Sequence, residues 1–222
     1  VAPANIWECP NLFRLGDRWV VLLSLWRGTG AAHQLVGVRY LVGDLVPSGD
    51  GLRFVTHAGG SVDDGDSFYA PQVLVEAERV LLWGWAWEGA HRSPADIEAA
   101  GWAGTLTFPR ELGLSGDVLV SRPAAELAGL RTAPLEPGPG GEIRARAFEV
   151  TADGAAELAL VDRERGTREI VAQTTHAARI LVDGSIVEVF GAGPSHTSRH
   201  YPTVTSHWEI RSAADHRVWA LG

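Results

Sequence analysis

Short apolar runs of strand length constrain the fold of this chain more than any other feature of its sequence. Three of them occupy residues 19–25, 35–42 and 79–88, and they are rich in the aromatic and β-branched residues that strands favour. Turn-forming residues lie between and around the runs, at residues 16–17, 28–30, 47–51 and 59–60. Short strands at such spacing are typical of a sandwich, a barrel or a propeller. The sequence therefore predicts an all-β fold.

One short stretch has the pattern of a helix instead. Ser93 is a favourable N-cap, Pro94 suits the first helical position, and Gly101 is a typical stop after the last turn. We therefore predict a helix that begins at Pro94 and ends before Gly101.

The character of the sequence changes after about residue 122. Seven of the nine tryptophans precede that point, and alternating strand patterns follow from Glu142 onward. Residues 178–190 have the pattern of a hairpin with Asp183-Gly184 at its turn, a dipeptide that suits the positive φ angles of a type I′ turn. We place a domain boundary near residues 123–128, and we expect the second domain to be an antiparallel sandwich.

The charged residues exclude several classes of protein. The net charge is −8, and all 19 basic residues are arginine, so a Walker-type phosphate loop and a Schiff-base lysine are both excluded. The acidic balance and the scattered arginines argue against nucleic acid as a partner. No apolar run approaches the ~20 residues of a membrane helix. The only cysteine, Cys9, cannot form an internal disulfide, so secreted and cytoplasmic locations both stay open.

Three segments with unusual residues follow one another in the first half. They read W-E-C-P-N-L-F at residues 7–13, D-D-G-D-S-F-Y-A-P-Q at residues 63–72 and G-W-A-G-T-L-T-F-P-R-E-L at residues 101–112. In this order they resemble glycoside hydrolase family 32, which contains invertases, inulinases, levanases and sucrose-6-phosphate hydrolases. The resemblance continues at residues 180–190 and 197–202, so that it covers nearly the whole chain.

The resemblance implies a fold and a reaction. The fold is a five-bladed β-propeller followed by an antiparallel β-sandwich, of which residues 1–124 would form the last blades and residues 125–222 the sandwich. The reaction is retaining hydrolysis of β-D-fructofuranosidic bonds in sucrose or fructans, in which a carboxylate attacks the anomeric carbon and a second carboxyl group protonates the leaving oxygen. The second role falls on Glu8. We expect its neighbours Trp7 and Cys9 to desolvate it and to contact the substrate.

The sequence also departs from the family. The nucleophile of the family lies in a W-[MI]-N-D-P-N-G element, and an R-D-P element holds sugar hydroxyls; neither occurs here. Both precede W-E-C-P in the family. We therefore expect the missing N-terminal part of the same enzyme as a partner, and a chain that is inactive alone. Two alternatives stay open: a non-catalytic relative that binds fructans, and a truncated product without a function of its own.

Three aromatic residues are further candidates for the pocket. Tyr69 is expected to point toward the substrate, although a tyrosine of the core fits the pattern equally well. Trp83, Trp85 and Trp87 alternate and thus share one face of a strand. Packing between blades is the better interpretation for at least one of them, whereas Trp85 could form a platform for a sugar. The same two interpretations, packing and a platform for a sugar, apply to Trp102.

Two segments invite a metal site, but neither pattern is complete. The aspartate-rich residues 63–66 begin like a calcium loop, yet position twelve is Leu74 where glutamate is required. His196, His200 and His207 suggest zinc, but proline and glycine around them indicate loop and strand. We read Cys9 as a small buried residue in preference to a redox thiol. The prediction therefore includes no metal and no cofactor.

Overall fold

The computed structural model describes residues 4–29, 32–77, 79–88 and 92–222, and these residues are nearly all in β-strands or connecting loops. The strands of the first half are β1 (Ile6–Leu15), β2 (Arg18–Thr29), β3 (Ala32–Ser48), β4 (Gly51–Ser61), β5 (Phe68–Val75), β6 (Val80–Ala86), β7 (Thr105–Leu106), β8 (Arg110–Ser115) and β9 (Val118–Pro123). Those of the second half are β10 (Arg131–Leu135), β11 (Glu142–Ile143), β12 (Ala147–Ala152), β13 (Ala156–Asp162), β14 (Thr167–Thr174), β15 (Ala178–Asp183), β16 (Ile186–Phe190), β17 (His196–Arg199), β18 (Ser206–Ser212) and β19 (His216–Leu221). The helical elements are α1 (Pro94–Ala100) and two short 3-10 helices, Ala125–Leu130 and Pro139–Gly141. The all-β prediction is confirmed.

Two antiparallel sheets make up the first half. One has the strand order β1-β2-β3-β4, and the other has the order β5-β6-β8-β9 with β7 beside β6. They share a core in which Phe13, Val20 and Val42 of the first sheet meet Leu82 and Leu112 of the second. Burial of each such side chain contributes about 1.5–3 kcal/mol. The strands β1 and β5 are the terminal strands of their sheets, and they lie beside each other.

The second half also consists of two sheets around one core. Their strand orders are β10-β19-β12-β15-β16-β17 and β11-β18-β13-β14. Phe148 and Ile180 come from the first of these sheets, and Leu158 and Trp208 from the second. The rings of Phe148 and Trp208 meet edge to face with centroids 5.9 Å apart. All four sheets are open within the described residues.

The predicted helix is confirmed together with both of its ends. Ser93 caps α1: its hydroxyl accepts from the backbone N–H of Asp96, and the Asp96 carboxylate reaches back to the backbone of Ser93. Gly101 ends the helix in the left-handed conformation, with φ 73°. Within the described part of the chain, no helix is long and apolar enough to span a membrane.

The predicted hairpin is confirmed, but its turn type is wrong. Asp183 pairs with Ile186, so the two central residues are Gly184 and Ser185, one position later than predicted. Only Gly184 has positive φ, at 57°, whereas a type I′ turn needs positive φ at both positions.

One predicted turn, at residues 59–60, lies inside a strand. Gly59 and Gly60 belong to β4 and pair with Leu41 and Tyr40. A Cβ at Gly60 would lie 2.9 Å from the ring of Tyr40, so this glycine serves close packing rather than a turn. Of residues 28–30, the first two end β2 and the third lies outside the described residues.

One buried arginine joins the two halves. Arg110, the first residue of β8, is fully buried. Its guanidinium donates to Asp63 Oδ2 at 2.8 Å, to Glu188 Oε2 at 2.7 Å and to Thr197 Oγ1 at 2.5 Å. Asp63 follows β4 in the first half, whereas Glu188 and Thr197 lie in β16 and β17 of the second. The guanidinium is therefore the centre of a polar network that spans both cores.

Two aromatic rings pack against the buried guanidinium of this network. The Arg110 guanidinium carbon lies 4.6 Å from the ring centroid of Phe68 and 5.3 Å from that of Phe190. Burial raises the pKa of the Glu188 carboxyl, and the positive charge of Arg110 opposes that rise. Each charge here is tolerated in the interior only because its partners are present.

Replacement of Arg110 tests how much the two halves depend on this contact. We expect Arg110→Met to lower the free energy of unfolding by about 3–5 kcal/mol, because two carboxylates lose their counter-charge inside the protein. Arg122→Met is the control: Arg122 pairs with Glu111 at the surface, and such pairs contribute about 0–1 kcal/mol. Urea denaturation of the variants measures both values. Equal losses in the two variants would contradict a structural role for the network.

Candidate active site

The W-E-C-P segment lies near the start of β1, where the pairing with β2 is irregular. Glu8 lies opposite Ser24, and the register shifts between Glu8 and Asn11. Cys9, inside this shift, has φ 47°, a value that residues other than glycine rarely adopt. Bulges of this kind redirect side chains and are frequent beside active sites. The Glu8 side chain is exposed here and available to a ligand.

Tyr69 connects Glu8 to the rest of the protein. Its phenol donates a hydrogen bond to Glu8 Oε2. The phenol oxygen of Tyr69 in turn accepts a hydrogen bond from Trp26 Nε1 at 2.5 Å. Tyr69 is buried, so the phenol holds the carboxylate from a fixed position. Glu8, Trp26 and Tyr69 come from β1, β2 and β5, and the site is thus assembled from three strands.

Further tryptophans extend this cluster. Trp26 contacts Tyr69 and Trp87 edge to face, with ring centroids 5.3 Å and 5.5 Å apart. Trp85 lies 6.3 Å from Tyr69, and it is 42% exposed. Gly104, in the segment at residues 101–112, packs closely against Trp85. A Cβ at this position would lie only 1.9 Å from the indole nitrogen of Trp85. Trp85 therefore presents a half-exposed ring beside the residue that holds Glu8.

The expected desolvation of Glu8 by Trp7 is not found. The Trp7 ring is 56% exposed, and its Nε1 donates to the carbonyl of Ala4 at 3.4 Å. Glu8 itself is exposed in this structure. The aromatic neighbour that does contact its carboxylate is Tyr69, with Trp26 behind it.

Cys9 has the properties of a packed residue and not of a reactive thiol. It is half-buried. Burial raises the pKa of its thiol, and the negative charge of Glu8 raises it further. A thiol that stays protonated at neutral pH is a poor nucleophile.

Trp102 lies in a neighbouring cluster. The guanidinium carbons of Arg92 and Arg199 lie 4.6 Å and 5.7 Å from the centroid of its ring. Trp102 and Tyr201 also line a cleft of about 840 Å³ between the two halves. None of the described contacts joins Trp102 to Glu8, so its place in the pocket stays a prediction.

Glu88 is the carboxylate of this second cluster. It accepts hydrogen bonds from the backbone N–H of Gly104 at 2.6 Å, from Arg92 Nη1 at 3.3 Å and from the Tyr201 hydroxyl. Although burial opposes the effect, these hydrogen bonds and the nearby arginines lower the pKa of Glu88. Burial and the contact with Glu88 raise the pKa of Tyr201 to about 12. Glu88 is therefore a fixed anion, unsuited to proton transfer near neutral pH.

The three histidines considered as zinc ligands lie beside separate carboxylates. The contacts are His196 with Asp64 at 2.9 Å, His200 with Glu169 at 2.9 Å and His207 with Glu209 at 3.6 Å. Across the described residues, no three side chains of His, Cys, Asp or Glu converge in a way that could hold a metal ion.

Trp26 was missed from the sequence, although a signal for it existed. It directly follows the apolar run at residues 19–25, and the turn at residues 16–17 fixes the register of β1 against β2. Because Leu15 pairs with Arg18, counting back from the turn places Trp26 opposite Trp7, one residue from its observed partner Ile6. A register argument could therefore have placed Trp26 near Glu8.

Comparison with known proteins agrees with the sequence motifs. The model of the glycosyl hydrolases family 32 N-terminal domain matches residues 2–123. The chain belongs to glycosyl hydrolase family 32. Among family 32 proteins, sucrose-6-phosphate hydrolase of Escherichia coli is 34% identical over 131 residues, which are 57% of this chain and 26% of the relative. Levanase of Bacillus sp. (strain L7) is 30% identical over 218 residues, which are 82% of this chain and 23% of the relative. The chain thus spans about a quarter of these relatives.

Solved structures of family 32 proteins share the fold. The enzyme from Bifidobacterium adolescentis matches with a TM-score of 0.75 at 21% identity, over 97% of this chain and 41% of that one. The β-fructofuranosidase of Bombyx mori matches with a TM-score of 0.71 at 22% identity, over 97% of this chain and 54% of that one. The similarity of fold therefore extends over almost the entire chain.

The second bulge beside the cluster yields a stability test. Ala70 follows Tyr69 and has φ 46°. We expect Ala70→Gly to raise the free energy of unfolding by about 1 kcal/mol, because glycine adopts positive φ without the left-handed penalty. Ala147→Gly, at a half-buried strand position without positive φ, should lower it by about 0.5–1 kcal/mol. Urea denaturation compares the two variants. A loss in both would show that position 70 is not strained.

Proposed function

We propose that this chain supplies the acid/base and part of the substrate pocket of a retaining β-fructofuranosidase, with Glu8 as the acid/base. The observation that supports this most is the Glu8–Tyr69–Trp26 chain of hydrogen bonds beside a half-exposed tryptophan. An exposed carboxylate held from one side by a buried phenol is open to a substrate on the other. The motifs that carry the family resemblance and the activities named for the relatives point to the same reaction.

In the proposed reaction, a carboxylate nucleophile forms a bond to the anomeric carbon while the bond from that carbon to the leaving oxygen breaks. Glu8 gives its proton to the leaving oxygen. In the second step, water attacks the same carbon, Glu8 takes a proton from the water, and the nucleophile leaves. Such pairs of carboxyl groups are about 5–5.5 Å apart in retaining enzymes. The hydrogen bond from Tyr69 fixes one oxygen of Glu8 and leaves the other for the substrate.

The nucleophile is proposed to come from polypeptide outside the printed sequence. Neither W-[MI]-N-D-P-N-G nor R-D-P occurs among the 222 residues. In this proposal the first half of the chain forms the last blades of a five-bladed propeller, and residues 125–222 form the sandwich. The remaining blades would cover the outer side of β1 and β5 and bring the nucleophile to Glu8.

The proposed substrates are sucrose and fructans. The Bombyx mori β-fructofuranosidase was solved in complex with sucrose, and the fructan 1-exohydrolase IIa of Cichorium intybus in complex with 1-kestose. In this chain, Trp85 and Trp102 present rings that are 42% and 48% exposed. Indole rings of this kind stack on the apolar faces of sugars. We assign them, with Trp7, Cys9 and Tyr69, to substrate contact.

Substitution of Glu8 tests the proposal in the longest natural polypeptide that contains this chain. Glu8→Gln should lower kcat on sucrose by about 10²–10⁴-fold, because the leaving oxygen loses its proton donor. On an aryl fructofuranoside, whose leaving group needs no proton, added azide should restore turnover and yield fructosyl azide. Glu136→Gln, an exposed carboxylate of the second half, is the matched control and should retain full activity.

Unchanged hydrolysis of sucrose and fructans in Glu8→Gln would show that the assignment is wrong. Calorimetry with inulin and levan separates the remaining alternatives. Binding without hydrolysis by the unsubstituted polypeptide would favour a non-catalytic relative, and absence of both would favour a product without a function of its own.

A further inference from the structure

Two matching irregularities flank the contact between Glu8 and Tyr69. In β1 the register shifts after Glu8, and in β5 it shifts after Tyr69. The next residue in each case, Cys9 or Ala70, has positive φ, at 47° and 46°. A proline follows each of them. These are the only residues other than glycine with positive φ among those described, and both adjoin the candidate acid/base and its partner.

A single side chain connects the two irregularities. Asn11 Nδ2 donates to the carbonyl of Cys9 at 3.0 Å and to the carbonyl of Pro71 at 2.9 Å. Because β1 and β5 end different sheets, no ladder of backbone hydrogen bonds joins them. The carboxamide of Asn11 therefore takes the place of that ladder at this point. Its two N–H groups bind two carbonyls without adding a charge next to Glu8.

We propose that Asn11 is a positioning residue, which sets the distance between β1 and β5 and thereby holds Glu8 against Tyr69. This inference rests on the proposed function of Glu8 and adds a residue that acts through it. Strained backbone at an active site persists only where the surroundings fix it. Asn11 fixes the backbone at Cys9 directly, through the Cys9 carbonyl. It fixes the backbone beside Ala70 through the carbonyl of the following residue, Pro71. A small displacement of a catalytic group lowers kcat far more than it lowers affinity.

The test compares Asn11→Leu with Gln72→Leu in the complete natural polypeptide. Leucine has nearly the shape of asparagine but donates no hydrogen bond. The exposed Gln72 also donates to the carbonyl of Pro71, at 2.8 Å, but has no described contact with Cys9. It is thus a matched control that removes a bond to the same acceptor and leaves the bridge intact.

We expect Asn11→Leu to lower kcat on sucrose by about 10–100-fold with little change in KM, because Glu8 is displaced from its partner. On an aryl fructofuranoside the loss in kcat should be much smaller, because departure of that leaving group needs no proton. Gln72→Leu should keep the kcat of the parent on both substrates. Equal losses on the two substrates, or the same losses in Gln72→Leu, would overturn the role.

A crystal structure of Asn11→Leu gives a result that does not depend on activity. A changed separation between the Tyr69 hydroxyl and the Glu8 carboxylate supports the positioning role, and an unchanged one overturns it. If the parent polypeptide hydrolyses no fructoside, the proposed function fails. The structural comparison still decides whether Asn11 holds the two strands together.

Discussion

The placement of the candidate site depends on the burial of one guanidinium. Arg110 is held by Asp63 from the first half and by Glu188 from the second, and it lies against the ring of Phe68. Phe68 directly precedes Tyr69, so the contact of its ring with Arg110 restrains the start of β5. A buried charge with complete partners tolerates few arrangements, since any displacement leaves it uncompensated. The position of Tyr69, which holds Glu8, thus depends on the polar contact that Arg110 makes between the two apolar cores.

Glu88 and Glu8 carry the same carboxylate group but have opposite surroundings. Glu88 lies among Arg92, Arg199 and Tyr201, and the hydrogen bonds and positive charges there keep it ionised. Glu8 has a phenol as its partner, and none of its described contacts is with a cation. Proton transfer needs a group that can exist in both states near the working pH. Glu88 is therefore a fixed part of the framework, whereas the carboxylate of Glu8 is exposed and has no such cationic partners among its described contacts.

Local patterns in the sequence predicted local structure well. The apolar runs gave the strands, and Ser93, Pro94 and Gly101 gave both ends of the helix. The motif set led to Glu8 and Tyr69, which the structure brings into contact. Asn11 and Arg110 were inside the quoted motifs, but their roles depend on carbonyls and carboxylates 60 and 78 residues away. Periodicity and spacing hold no information on such pairs. The turn predicted at residues 59–60 was wrong for the same reason, since the Tyr40 ring that Gly60 accommodates is on another strand.

The order of the Arg110 partners along the chain affects folding during synthesis. Glu188 leaves the ribosome 78 residues after Arg110, which is roughly 4–16 s at 5–20 residues per second. Throughout this interval the guanidinium has only part of its counter-charge and must stay hydrated. The nascent first half therefore cannot complete its interior around Phe68 until Glu188 has been synthesised. Ribosome-associated chaperones would meet a half-formed β-structure with an open apolar face, although its own strands have all been made.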